Sequence, residues 1–90
     1  MSDAAQDPIR REEARRECLR FLASRHLLAH SPRAIRSGVN REGFDFGKED
    51  ILSALEILCG LGLAIVKIDH LGSSKYYQAT SQGVLEQERS

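Results

Sequence analysis

The stretch from Ile51 to Gly83, ILSALEILCGLGLAIVKIDHLGSSKYYQATSQG, constrains the fold most, because its periodicity changes twice. Ile51, Ala54, Leu55 and Leu58 recur at helical spacing, and Leu52 and Cys59 widen the stripe. Gly60 and Gly62 bracket the end of that helix, and LAIVKID follows as a run rich in β-branched residues. HLGSS is a turn and KYYQA an antiparallel return strand, after which Thr80 or Ser81 caps a last helix to about Gln87. A helix, a hairpin and a short closing helix are therefore expected in that order.

Upstream, the same stop-and-start chemistry marks two more helices. Asp7 caps and Pro8 takes the first helical position, where its missing N–H costs nothing. Ala14, Cys18, Phe21, Leu22 and Leu28 fall at helical spacing with Leu19 beside them, so a long helix is expected from about Pro8 to Ala29. Its other face carries Arg10, Glu12, Glu13, Arg16, Glu17 and Arg20, with Glu12 and Arg16 forming a favourable i,i+4 pair. Ser31 and Pro32 start a shorter helix with Ile35 and Val39 one turn apart; Gly38 weakens it, and Asn40 to Gly43 end it. Phe44 and Phe46 flank Asp45, an alternation that carries both rings onto one face of an extended link. Gly47 then caps the third helix, with Glu49 and Asp50 in its first turn.

Ninety residues make one domain, expected over residues 8–88 behind a flexible tail at 1–7. The opening MSDAAQ has no apolar run behind a basic start, and nowhere do ~20 apolar residues run together as a membrane span requires. A cytoplasmic chain without a membrane segment is expected, with Cys18 and Cys59 as buried reduced thiols. Thirteen basic groups balance thirteen acidic ones, so net charge alone does not argue for nucleic acid. The balance is uneven, however. Residues 1–45 hold nine basic groups, all arginine, against seven acidic, and residues 46–90 hold four against six.

The order helix, helix, helix, hairpin, helix resembles the winged helix-turn-helix superfamily, and local phrases resemble it too. ALEILCGLGLAIV is similar to its habit of closing the third helix with a Leu-x-x-Leu-Gly-Leu phrase before the first wing strand. YYQATSQG resembles the Tyr-x-Leu-Thr-x-x-Gly phrase on the return strand of many bacterial regulators. Ala79 departs from it, standing where a larger aliphatic residue is usual. The resemblance spans roughly residues 9–88 and implies an α+β, mostly helical fold: a three-helix core, a two-stranded wing and a C-terminal helix. Each residue in these phrases packs or turns: Gly62 lets the chain leave the helix, Thr80 caps, and Gly83 brings the last helix close.

The resemblance further implies double-stranded DNA as a partner, with the third helix in the major groove and the wing on the backbone. Arg33, Arg36 and Arg41 would then hold phosphates, Lys48 and Ser53 would approach base edges, and Lys67 and Lys75 would contact the flanking strand, with His70 nearby. The outward face of the third helix, Lys48, Glu49, Ser53, Glu56 and Gly60, carries only one cation. That acidity keeps a second expectation open: a protein-interaction or homodimerising module that does not bind DNA. Arg11 and Arg15 on the first helix are expected to be solvated, and Leu27 and Leu61 to pack under the second helix or the hairpin.

No enzyme chemistry is expected, and no cofactor, metal or small-molecule substrate. His26 and His30 have the i,i+4 spacing of metal ligands, but the ligand set is incomplete and a helix-terminal role suffices. GLG at Gly60 to Gly62 follows a helix and precedes a strand, the reverse of a phosphate-binding loop. His70, Ser73 and Ser74 sit on a hairpin tip that cannot exclude water.

Overall fold

In the computed structural model, which describes residues 7–90, the elements run α1 (Pro8–Ser24), α2 (Pro32–Asn40), α3 (Lys48–Gly60), β1 (Ala64–Ile68), β2 (Lys75–Ala79) and α4 (Ser81–Arg89). This is the expected α+β, mostly helical fold, with three helices, an antiparallel hairpin and a closing helix. The tail expected over residues 1–7 lies outside the described residues except for Asp7.

The expected caps form. Asp7 Oδ1 accepts from Ile9 N at 2.9 Å, and Ser31 Oγ accepts from Ala34 N at 3.1 Å. Thr80 Oγ1 accepts from Gly83 N at 3.0 Å and donates to the Gly62 carbonyl at 2.7 Å, so one hydroxyl starts α4 and ties it to the turn after α3. Gly62 makes that turn at φ 77°, in the left-handed region. At Gly83 a Cβ would collide with the Leu63 carbonyl, which is why α4 can lie where it does.

One core holds the elements together. Leu22 and Cys18 of α1, Ile35 and Val39 of α2, and Ile51, Leu55 and Leu58 of α3 close around Phe46, with Ala64 and Ala79 at the base of the hairpin. Each large aliphatic side chain buried this way stabilises the fold by roughly 1.5–3 kcal/mol. Phe44 and Phe46 do share a face, stacked with ring centroids 5.2 Å apart.

Four expectations need correction. First, α1 ends at Ser24, not Ala29, because the chain must unwind to deliver His30 to the sheet. His30 N donates to the Tyr77 carbonyl at 2.8 Å and Tyr77 N donates back at 2.7 Å, so His30 flanks β2 as a one-residue strand. Second, Leu28 lies in that unwound turn, 65% exposed instead of in the core stripe. Third, Leu27 and Leu61 do not pack beneath anything and are 82% and 63% exposed. Fourth, the Glu12–Arg16 pair expected on the polar face of α1 does not form among the described residues, and Glu17 of that face is not outward. Glu17 is buried between Arg16 and Arg20, with Arg20 Nη1 donating to its Oε1 at 3.3 Å, and Arg16 approaches Glu17 in place of Glu12.

Candidate nucleic-acid interface

The link between α2 and α3 is held by a single side chain used twice. Asn40 Oδ1 accepts from Phe46 N at 2.9 Å while its Nδ2 donates to the Phe46 carbonyl at 3.0 Å. Arg36 Nε donates to the same carbonyl at 3.1 Å. Gly47 N, the orphan donor at the start of α3, is satisfied by Asp50 Oδ2 at 2.8 Å. These bonds fold the link back so that the first residue of α3, Lys48, comes beside α2.

Arg33, Arg36 and Lys48 consequently line one groove of about 240 Å³, with Pro32 and Ile51 supplying apolar walls. Arg33 and Arg36 are three residues apart on α2 and share its exposed face. The groove borders the start of α2, where the helix dipole adds a partial positive charge. Among the described residues, none of these three cations has a carboxylate within 4.0 Å, whereas Arg10, Arg16 and Arg20 of α1 are all engaged in ion pairs. Positive charge left unpaired is therefore available at the α2–α3 corner and largely consumed along that side of α1.

Not every predicted residue joins this groove. Arg41 caps the far end of α2 and lines a different depression of about 350 Å³ with Arg25, His30 and Ser37. The Arg25 guanidinium lies 4.3 Å above the Phe21 ring there, and the same ring occupies the space a Cβ on Gly38 would need. Ser53 is exposed on α3 alongside Glu49 and Glu56, and Leu52 and Ile57 flank them on the same outer surface.

The two wing lysines separate. Val66 pairs with Tyr77, Lys67 with Tyr76 and Ile68 with Lys75. Because directly opposed residues share a face and neighbours alternate, Lys67 stands with Ile65, Tyr76 and Gln78, while Lys75 stands with Val66, Ile68 and Tyr77. Ala64 and Ala79, on the second of these faces, are buried, so that face looks toward the helices. Tyr77 packs against the core, where burial raises its phenol pKa, helped by the nearby Cys59 thiol and Glu56 carboxylate. Lys75 thus overhangs the α3 side of the hairpin and Lys67 the outer side.

Two elements of the surroundings were not legible in the sequence. Arg10, expected on the polar face of the first helix, reaches across to α3: its Nη2 donates to Asp50 Oδ2 at 3.2 Å and to the Asp45 carbonyl at 3.1 Å, over the Phe46 ring. Of the two acids in the first turn of α3, Asp50 is committed to the Gly47 cap and to Arg10, whereas Glu49 is exposed. Nothing local to Arg10 signals a partner on another helix.

Other chemistry finds different employment. His26 and His30 do not share a helix face, because both lie beyond the end of α1. The His26 carbonyl accepts from Gln78 Nε2 at 2.7 Å, and the His30 ring meets the Phe21 ring edge-on at 5.1 Å. Among the described residues, no three metal-ligating side chains gather at one point. At the hairpin tip the Ser73 hydroxyl donates to Asp69 Oδ2 at 3.2 Å, and Asp69 Oδ1 accepts from Ser73 N at 3.0 Å, which lowers the Asp69 pKa. Cys18 and Cys59 are free thiols, the first buried and the second half-buried, and burial pushes the Cys18 pKa up to about 12. No helix among the described residues is long and apolar enough to cross a membrane. No protein-family model matches this chain, and no curated protein matches it significantly in sequence.

Proposed function

We propose that this chain is a winged helix-turn-helix domain that associates with double-stranded DNA in a regulator-like role, in the cytoplasm, without cofactor or catalysis. The observation that carries the proposal is the groove at the α2–α3 corner, where Arg33, Arg36 and Lys48 stand together without carboxylate partners. Backbone phosphates supply most non-specific affinity, and unpaired cations beside a helix start are what such phosphates require. Arg33 and Arg36 would hold adjoining phosphates, and Lys48 and Ser53 would approach base edges. Lys75, on the α3 side of the hairpin, would reach the flanking strand, while Lys67 and Arg41 would touch DNA only through contacts outside the central groove.

The experiment is fluorescence anisotropy of a labelled mixed-sequence duplex, titrated with the protein at low and at physiological salt. Binding that weakens steeply with salt, and that Arg33→Ala with Lys48→Ala reduces, is the expected result. No binding at low salt overturns the proposal. The alternative is a module that binds another protein. It is favoured by the outer surface of α3, where Leu52, Ile57 and Leu61 are exposed beside Glu49 and Glu56.

A further inference from the structure

α2 contains no acidic residue, and its basic side extends beyond the corner with α3. Arg33, Ser37 and Arg41 follow one another at i, i+4 and i+8, so they form one row along the helix, on the side away from buried Ile35 and Val39. Arg41 belongs to that row because its φ −64° and ψ −22° continue the helical backbone past Asn40. All three residues are exposed, and the row is roughly 12 Å long at about 1.5 Å per residue. Its far end has a cationic partner from another element. Arg25, the residue that ends α1, lines the depression of about 350 Å³ together with Ser37 and Arg41. The Phe21 ring fills the space a side chain on Gly38 would need, and the Arg25 guanidinium lies 4.3 Å from the centre of that ring. Arg25 Nη1 also donates to Ser24 Oγ at 2.9 Å, so this cation is held beside α2 before any ligand arrives. Among the described residues neither Arg25 nor Arg41 has a carboxylate within 4.0 Å, and Glu42, the acid on the rim, faces Arg20 at 3.9 Å.

We propose that Arg25 and Arg41 form a second phosphate-binding site for the same duplex, so that one DNA strand runs along α2 from the Arg33–Arg36–Lys48 corner to this depression; the proposal deepens the DNA-binding reading and rests on it. A row of roughly 12 Å takes in more than one phosphate of a strand, whose charges recur about every 3.4 Å of duplex axis. Between the two groups of cations the row presents the Ser37 hydroxyl, with Ala34 beside it. Both side chains are small enough to let a sugar-phosphate backbone come close, and the hydroxyl can donate to it. No acid interrupts this path, whereas the outward face of α3 carries Glu49 and Glu56. Guanidinium groups suit the task, because each can donate two parallel N–H bonds to one phosphate. Charge at both ends of a straight row fits a polyanion of regular spacing better than it fits one small anion.

The test is salt-dependent anisotropy of the labelled duplex with full-chain variants, each melted first to confirm that it folds. Arg25→Gln keeps a stem over Phe21 and removes the charge, and Arg41→Ala removes an exposed charge. Each is expected to reduce the slope of log K against log salt by about one, equally on duplexes of unrelated sequence, because phosphate contacts carry no base information. Arg25→Lys, which keeps the charge, should keep the wild-type slope. Ser37→Asp puts an acid within reach of both arginines of the row and is expected to weaken binding more than either loss alone. Wild-type binding whose slope survives Arg25→Gln and Arg41→Ala, while Arg33→Ala still lowers it, overturns the second site and leaves the DNA-binding reading standing. A slope lowered by Arg41→Ala alone overturns the role of Arg25. No wild-type binding at low salt overturns the DNA-binding reading and the second site together.

Discussion

Arg10 Nη2 and Asp50 Oδ2 meet at 3.2 Å, linking the first turn of α1 to the first turn of α3 across the link that carries Phe46. The same carboxylate oxygen accepts from Gly47 N, so cap and clamp are one atom. Asp50 is nearly buried and Arg10 is a quarter exposed, which makes the pair a partly desolvated, charge-assisted contact rather than a surface ion pair.

Removing the acid should cost more than removing the base. Asp50→Ala loses the α3 cap and leaves the guanidinium only its contacts with Asp45, an expected loss of about 2 kcal/mol. Arg10→Met leaves the Gly47 bond in place and is expected to cost about 1 kcal/mol. Urea melts of the two single variants and the double variant should return a coupling energy on the order of 1 kcal/mol; simple additivity would mean the clamp contributes nothing.

Gly83→Ala tests the seat of α4. The added methyl meets the Leu63 carbonyl, so α4 must shift and Thr80 must loosen its hold on Gly62. A loss of roughly 1–3 kcal/mol is expected, seen as a lower midpoint in thermal unfolding. An unchanged midpoint would mean that α4 sits elsewhere in solution.

Arg33 and Arg36 share a groove but not a role. Arg36 also donates to the Phe46 carbonyl, which Asn40 already holds. Arg36→Ala should lower stability by about 0.5–1 kcal/mol as well as DNA affinity, whereas Arg33→Ala should leave the melting curve unchanged. Each should reduce the salt slope of binding by about one unit. Of the hairpin lysines, Lys75→Ala is expected to change that slope and Lys67→Ala to change it less, since the two project from opposite faces.

Cys18 gives the fold an alkaline limit. Its thiol has a native pKa of about 12, against a reference near 9.0, because burial disfavours the thiolate and Glu17 adds to the effect. A raised pKa means that the unfolded chain loses this proton first as pH rises. Stability is therefore fully present below about pH 9 and falls between there and about pH 12. Denaturant midpoints from pH 8 to 11 should show the decline, and Cys18→Ala should flatten it. Thiol reagents at pH 8 should label half-buried Cys59 well before Cys18.

What was legible in the sequence was local. Asp7, Ser31 and Thr80 cap helices through donors two or three residues away, and Gly62 turns the chain through its own φ, so each carries its signal with it. Arg33, Arg36 and Lys48 could be nominated, but only the Asn40–Phe46 clasp brings the third of them to the other two. Most of the failures were at a distance. The end of α1 depends on Tyr77, the fate of Arg10 on Asp50, and the divergence of Lys67 and Lys75 on a pairing register that no single strand encodes. Glu17 was the near exception: it falls on the face opposite the apolar stripe, yet Arg16 and Arg20 allow it to be buried.

The bridge between His30 and Tyr77 is made wholly of main-chain atoms, one residue before the cap of α2. The angle between hairpin and second helix is thus written in the backbone, and either side chain can be exchanged without erasing it. A hairpin anchored this way behaves as a fixed calliper jaw: its tip residues can be rewritten to grip something new while the span to the basic corner stays constant.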